Sequence, residues 1–245
     1  MTDDTEAPPR PGLLAGEDHD PHCLRPGEAA DLLAGTPWRR AVILGEHEAR
    51  LARSAAVPGY RSVSWSDRVA AALRSAHPGA ACRIARGRRD LLLFEVRSRQ
   101  LADALVFRGD LALVSCGGPE LRAPAFDADA LEVELSRILD SLKSGTYRDA
   151  VVITPFERAS SDPPHAGQRE ETRARQRQLV ERTGLVTLHH GALHINLMSH
   201  QHGLDLASLW GPHPGRLNSR GHALAASVVV RALTRHARRV DTVAR

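Results

Sequence analysis

From Trp38 onward the chain alternates short apolar runs with segments whose apolar residues recur every three or four positions. The runs Ala41–Leu44 (AVIL), Leu91–Val96 (LLLFEV), Leu111–Ser115 (LALVS), Ala150–Thr154 (AVVIT) and Leu185–Leu188 (LVTL) are short, apolar and bounded by turn residues, so they read as buried parallel strands. Between and after them, Ser66–Ala76, Ser98–Phe107, Ala128–Ser144, Gln168–Thr183 and Ser219–His236 carry helical spacing, with Asp127 placed to cap the third. Five strands in such alternation predict an α/β fold: a three-layer α/β/α sandwich around a five-stranded parallel sheet. Residues 1–37, rich in Pro, Gly and acids with one short helical pattern at Glu28–Leu33, read as a poorly ordered lead-in. The domain is expected over residues 38–238, followed by a tail at 239–245.

In open parallel sheets, ligands gather at the carboxyl ends of the strands. That rule draws the Gly45 turn, the Cys116-Gly117-Gly118-Pro119-Glu120 turn, the segment after Thr154 and the His189-His190 pair toward one rim.

Composition adds little. The 245 residues are 42% hydrophobic and 25% charged, as expected for a globular chain. The net charge of +4 rests on dispersed arginines, Lys143 being the sole lysine, and no nucleic-acid motif accompanies it, so nucleic acid is not expected as a partner. No apolar run reaches the roughly 20 residues that span a bilayer, and the start MTDDTEAPPRPG lacks the build of a signal peptide, so a cytoplasmic protein without a membrane partner is expected. Cys23, Cys82 and Cys116 are far apart and odd in number, which suits free thiols.

Four stretches carry the chemistry: Gly45-Glu46-His47 after the first strand; Gly59 to Val69 (GYRSVSWSDRV) before the next helix; Gly117-Gly118-Pro119-Glu120 after the third strand; and Leu209-Trp210-Gly-Pro-His213-Pro-Gly-Arg216-Leu-Asn218-Ser-Arg-Gly221-His222 before the last helix. In this order, from Thr36 to Arg231, they resemble the SGNH/GDSL hydrolase family, in particular its small intracellular esterase or acylhydrolase-like members. The resemblance implies a flavodoxin-like sheet and an ester-hydrolysing ancestry. It also implies a role for each matching position. His47 stands where the family has its serine nucleophile, and Ser98 where a glycine N–H joins the oxyanion hole. Pro119 stands where an asparagine side chain donates to the oxyanion. Anchored on Trp210 and Asn218–His222, His213 falls at the family aspartate and Arg216 at the family histidine. A rival register that makes His213 the family base needs a three-residue insertion before Gly221.

These departures bear on chemistry. Acyl-serine catalysis needs a nucleophile, a base that can accept its proton, an orienter and oxyanion donors. Arginine stays protonated and cannot be the general base, while proline has no N–H to donate. His47 could itself act as nucleophile or base with Glu46 or Glu48 as orienter, or simply fill the space of the serine. Cys116 is weighed as a substitute nucleophile and as a packing residue. Metal is a further possibility, with His47, His190 and His213 as candidate ligands beside Glu46 and Glu120 and the histidine-rich run from His189 to His202; none of the spacings is diagnostic, and no metal or cofactor is expected. Arg216 and Arg220, at a helix start, suit an anion.

Three readings follow: a protein of this fold that has lost serine catalysis and binds a small, anionic ligand or a partner; an enzyme with histidine-based or metal-dependent chemistry on the same rim; and an active ester hydrolase acting on an acyl ester through residues in another register.

Overall fold

The computed structural model describes residues 16–45, 55–85, 90–157, 166–213 and 215–243. Five strands, β1 (Arg40–Gly45), β2 (Ala81–Ile84), β3 (Leu111–Ser115), β4 (Asp149–Thr154) and β5 (Leu193–Asn196), form one sheet in the order β2-β1-β3-β4-β5. Every pairing is parallel, with Ile43 opposite Ile84 and Leu113, and Val151 opposite Leu193.

Strand periodicity divides the core in two. Ala41, Ile43, Leu111, Leu113, Val151 and Ile153 face helices α1 (Pro26–Leu33), α2 (Trp65–Ala76) and α8 (Ser219–Val243). Val42, Leu44, Ala112, Val114 and Val152 face α3 (Leu93–Arg99), α4 (Leu101–Phe107), α6 (Ala128–Lys143) and α7 (Ala166–His189). A five-residue helix, α5 (Gly118–Arg122), follows β3. The three-layer sandwich with a five-stranded parallel sheet is the architecture expected from the alternating pattern.

Helix α6 shows how local sequence sets an element. Asp127 accepts a hydrogen bond from the Ala130 N–H at 2.8 Å, which satisfies one of the open donors of the first turn. Leu131, Leu135, Ile138, Leu139 and Leu142 then form one buried stripe, each burial contributing about 1.5–3 kcal/mol before entropy is subtracted. Lys143 in the last turn complements the helix dipole.

Two expected strands are helical. Leu91–Val96 holds the start of α3: Leu91, Leu93 and Val96 are buried while Phe94 is 52% exposed, and the Glu95 carboxylate accepts from the Leu92 N–H at 3.3 Å. The second strand is instead Ala81–Ile84, an edge strand that carries Arg83 and lacks a continuous apolar signal. Leu185–Leu188 forms the last turn of α7, with Leu185 and Leu188 facing solvent and Thr183, Val186 and Thr187 facing the core. Gly191, at φ 60°, ends α7: its N–H reaches the Leu188 carbonyl and the Ala192 N–H reaches that of Thr187. The fifth strand follows only then, at Leu193.

The lead-in is also corrected from residue 16 onward. Cys23, Ala29 and Leu33 are buried against α2 and α8, and the buried carboxylates of Glu17 and Asp20 are engaged by Arg68 and Arg220. At the other end, α8 continues through Val243 and takes up most of the expected tail.

Candidate functional site

Two chain reversals, at the carboxyl ends of β1 and β3, and the segment that leads from β5 into α8 frame the rim. At the first, Gly45 has φ 107°, and a Cβ there would meet the Ser115 carbonyl oxygen at 2.2 Å, so only glycine fits. The Gln100 amide fixes it, accepting from the Gly45 N–H at 2.8 Å and donating to its carbonyl at 3.2 Å. The next residues, Glu46 and His47 with Glu48, lie outside the described residues.

At the second reversal, Cys116 and Pro119 are buried and Gly117 has φ 94°. Glu120 accepts from the Gly117 N–H at 3.0 Å through Oε2 and from the Leu93 N–H at 2.8 Å through Oε1. Glu120 therefore caps two backbone segments, which explains an acid at this place without a metal. Pro119 brings no donor to the rim. The Cys116 thiol is strongly raised by burial, with Glu120 adding to the shift, so it stays protonated and is a packing residue.

The third frame is the segment before α8. Asn218 staples it: its side-chain NH2 donates to the carbonyls of Ser208 at 2.8 Å and Trp210 at 3.1 Å, and its Oδ1 accepts from the Gly221 N–H at 2.9 Å. This turn carries Arg216 to the rim, while His213 is exposed. The Arg216 backbone N–H donates to the His213 carbonyl at 3.2 Å, and its side-chain Nη2 donates to Asp90 Oδ2 at 3.2 Å. Arg122, from α5, donates to Asp90 Oδ1 through Nη2 at 2.7 Å and Nε at 3.1 Å. One carboxylate thus joins two guanidinium groups.

Behind these arginines lies a cavity of about 100 Å³. Trp65, Phe156, Trp210 and Leu217 supply apolar wall, and Arg122, Arg216 and His222 supply polar wall. His222 is buried; its Nδ1 accepts from the Trp65 N–H at 3.2 Å, which puts the proton on Nε2. Burial, with Arg68 adding, pushes its pKa down to about 3, so the ring is neutral at pH 7. Among the described residues, neither His222 Nε2 nor Trp210 Nε1 has a hydrogen-bond partner, and a buried donor left so costs about 1–3 kcal/mol.

Other expected site residues lie elsewhere. Ser98 is an exposed residue of α3 whose hydroxyl donates to the Glu95 carbonyl at 3.3 Å, because the segment taken for the second strand is helical. The residues that do follow β2 include Gly87, outside the described residues. His190 belongs to the opposite end of the sheet, where α7 turns into β5, and its Nδ1 lies 3.2 Å from Asp140. The histidine run is therefore split: His189 and His190 precede β5, His194 lies within it, and His200 and His202 follow it. Among the described residues, no three His, Cys, Asp or Glu side chains gather so as to hold a metal ion. Arg220 is buried and engaged by Asp20 at 3.1 Å, so it is not an anion site. Asp90, Arg122, Gln100 and His222 were not legible as site residues: the first two belong to no block of the sequence, Gln100 lies two residues after Ser98 in the stretch Glu95–Asp103, and His222 sits before the last helix, both without an assigned role.

No family model matches the chain, and no curated protein matches it at a significant level. Solved structures do. A catalytic mutant of the acetylxylan esterase Axe2 from Geobacillus stearothermophilus superposes with a TM-score of 0.59 at 12% identity, covering 81% of this chain and 95% of that one. The lipase/acylhydrolase from Enterococcus faecalis gives 0.58 at 18% identity over 81% and 96%. LAE5, an alpha/beta hydrolase enzyme from the metagenome of Lake Arreo, Spain, gives 0.59 at 16% identity over 81% and 95%. The chain thus has an SGNH/GDSL-hydrolase-like fold. Among the described residues, no helix is long and apolar enough to cross a membrane.

Proposed function

We propose that this protein uses an esterase-type scaffold to bind a small anionic ligand and does not carry out acyl-serine hydrolysis. Two structural neighbours are named as an acetylxylan esterase and a lipase/acylhydrolase, which makes ester hydrolysis the starting expectation for the fold. Arg216 carries the case against it. At the place where the family resemblance puts the base, a permanently charged guanidinium lies on the pocket wall and pairs with Asp90. It cannot take a proton from a nucleophile. His213, at the aspartate position, is exposed, and Pro119 offers no donor. The same arginine suits an anion.

The test is hydrolysis of short p-nitrophenyl esters by the purified protein, beside fluorophosphonate labelling. The expected result is hydrolysis no faster than buffer and no labelled serine. A labelled serine would restore the active-hydrolase reading. Hydrolysis without labelling, lost in a His47→Ala, His213→Ala double mutant, would support histidine-based chemistry instead, and sensitivity to a chelator would assign it to a metal.

A further inference from the structure

Apart from its arginines, the rim pocket carries two ring N–H donors. We propose that His222 Nε2–H and Trp210 Nε1–H form a carbonyl subsite that holds the neutral oxygen of a small ketone-bearing guest. Such a subsite depends on the pocket being a binding site, as in the proposed function, and makes no use of the charge on the arginines.

Both donors are held in place before any guest arrives. In the first turn of α8, the His222 backbone N–H donates to the Asn218 carbonyl at 3.0 Å, and the ring Nδ1 accepts from the Trp65 N–H at 3.2 Å. Because Nδ1 accepts, the ring is neutral and its one hydrogen sits on Nε2. Burial, which holds the ring far below its ordinary pKa, agrees with that assignment. Trp210 is bridged to Leu217, and its carbonyl accepts from the Asn218 side chain at 3.1 Å. His222 is 5% exposed, both rings line the same cavity, and among the described residues neither ring N–H meets an acceptor. Buried polar groups in a folded core are ordinarily satisfied, so a fixed, unsatisfied pair points to a guest that supplies the acceptor.

The chemistry of the wall selects that acceptor. Neither donor carries charge, and Ile153, Phe156, Leu197, Leu217 and Val229 make the wall around them apolar. A charged group brought against such a wall loses its water without full repayment, whereas a neutral oxygen loses far less. A carbonyl oxygen has two lone pairs and no hydrogen, so it accepts from both rings and adds no donor of its own. A hydroxyl would bring an O–H that needs a further acceptor. The cavity of about 100 Å³ has room for a ketone of a few carbons. With its hydrogen on Nε2, His222 cannot take a proton from that side, so the subsite binds and does not act as a base.

Proton–nitrogen correlation spectra of the full chain, titrated with butanone, read the two ring N–H groups directly. The His222 and Trp210 signals are expected to move downfield together along one saturation curve. Trp38, whose Nε1 already donates to Asp149 at 2.8 Å, is expected to stay still. Trp210→Phe keeps an aromatic ring, removes the donor and assigns the indole signal; it should weaken butanone binding about fivefold, as should replacing butanone by sec-butanol in the parent. If that variant does not fold, the parent's two ring signals and the alcohol comparison decide. Ring signals that ignore butanone, equal affinity in folded Trp210→Phe, or equal affinity for the alcohol would each overturn the subsite. Butyrate separates this result from the anion reading. Butyrate that binds while butanone moves neither ring would overturn the subsite and leave the anion reading standing. Butanone that moves both rings while butyrate does not bind would uphold the subsite and count against the anion reading. Butyrate that moves both rings as butanone does would overturn the choice of a neutral oxygen.

Discussion

At the residue scale, buried histidines set the response to acid. Burial pushes His222 down to about 3 and His194 to about 4, and it lowers His77 as well, with Arg39 adding there. The ordinary histidine value is about 6.5, so between there and the folded values the unfolded chain holds more protons than the folded one. Their stabilising contribution is whole above about pH 6.5 and is lost as pH falls toward 4 and 3. Glu17 acts in a lower window: its carboxyl is brought down to about 2 despite burial, by Arg68 and Arg61, so its contribution is present above 4.5 and lost between 4.5 and 2. Denaturant unfolding at pH 7.5, 6.0 and 5.0 is expected to show a falling midpoint before any carboxylate titrates. His222→Asn should flatten that slope, and an unchanged slope would show that His222 does not titrate across the folding equilibrium. The residue scale is also where the sequence was least legible. Arg216 on the rim followed from its block, but its partner Asp90 lies 126 positions away in the chain, and only the fold brings them together.

At the element scale, the strands that sequence periodicity found are the central ones, and those it missed are the two edges. Strands β1, β3 and β4 are buried on both faces, which demands runs such as AVIL and LALVS. Strands β2 (ACRI) and β5 (LHIN) each have one neighbour and tolerate Arg83 and His194, so nearby apolar helical turns gave the stronger signal. The error at β5 displaced the histidine pair to the wrong end of the sheet and made a metal cluster look attainable. What separates α7 from β5 is the left-handed Gly191, so the boundary is testable there. Gly191→Ala is expected to cost about 1 kcal/mol, read as a lower denaturation midpoint with unchanged slope. No loss of stability would mean that α7 does not end in this left-handed turn.

At the scale of the whole molecule, the segment from residue 16 to 37 ties the sheet to the site. Its acids looked like those of a solvated leader because the cations that pair with them lie far along the chain. Asp20 accepts from Tyr60 at 2.7 Å and from Arg220 at 3.1 Å, and the side chains of Asp20 and Arg220 are 3% and 7% exposed. Arg220 stands in the first turn of α8, between Arg216 and His222, so the pairing holds down the turn that carries the pocket wall. Such a pair contributes little net stability compared with an apolar replacement, yet removing one partner strands a buried charge at about 3–5 kcal/mol. Asp20→Asn and Asp20→Ala should therefore both unfold at markedly lower denaturant, the alanine variant more so because it also leaves the Tyr60 hydroxyl without its acceptor. Arg25→Ala, which removes only exposed contacts to Asp18, should leave the midpoint unchanged. An unaltered midpoint in Asp20→Asn would show that the buried pair does not hold the start of α8, whereas a lowered one would show that the turn before the pocket wall depends on an N-terminal segment outside the alternating sheet pattern.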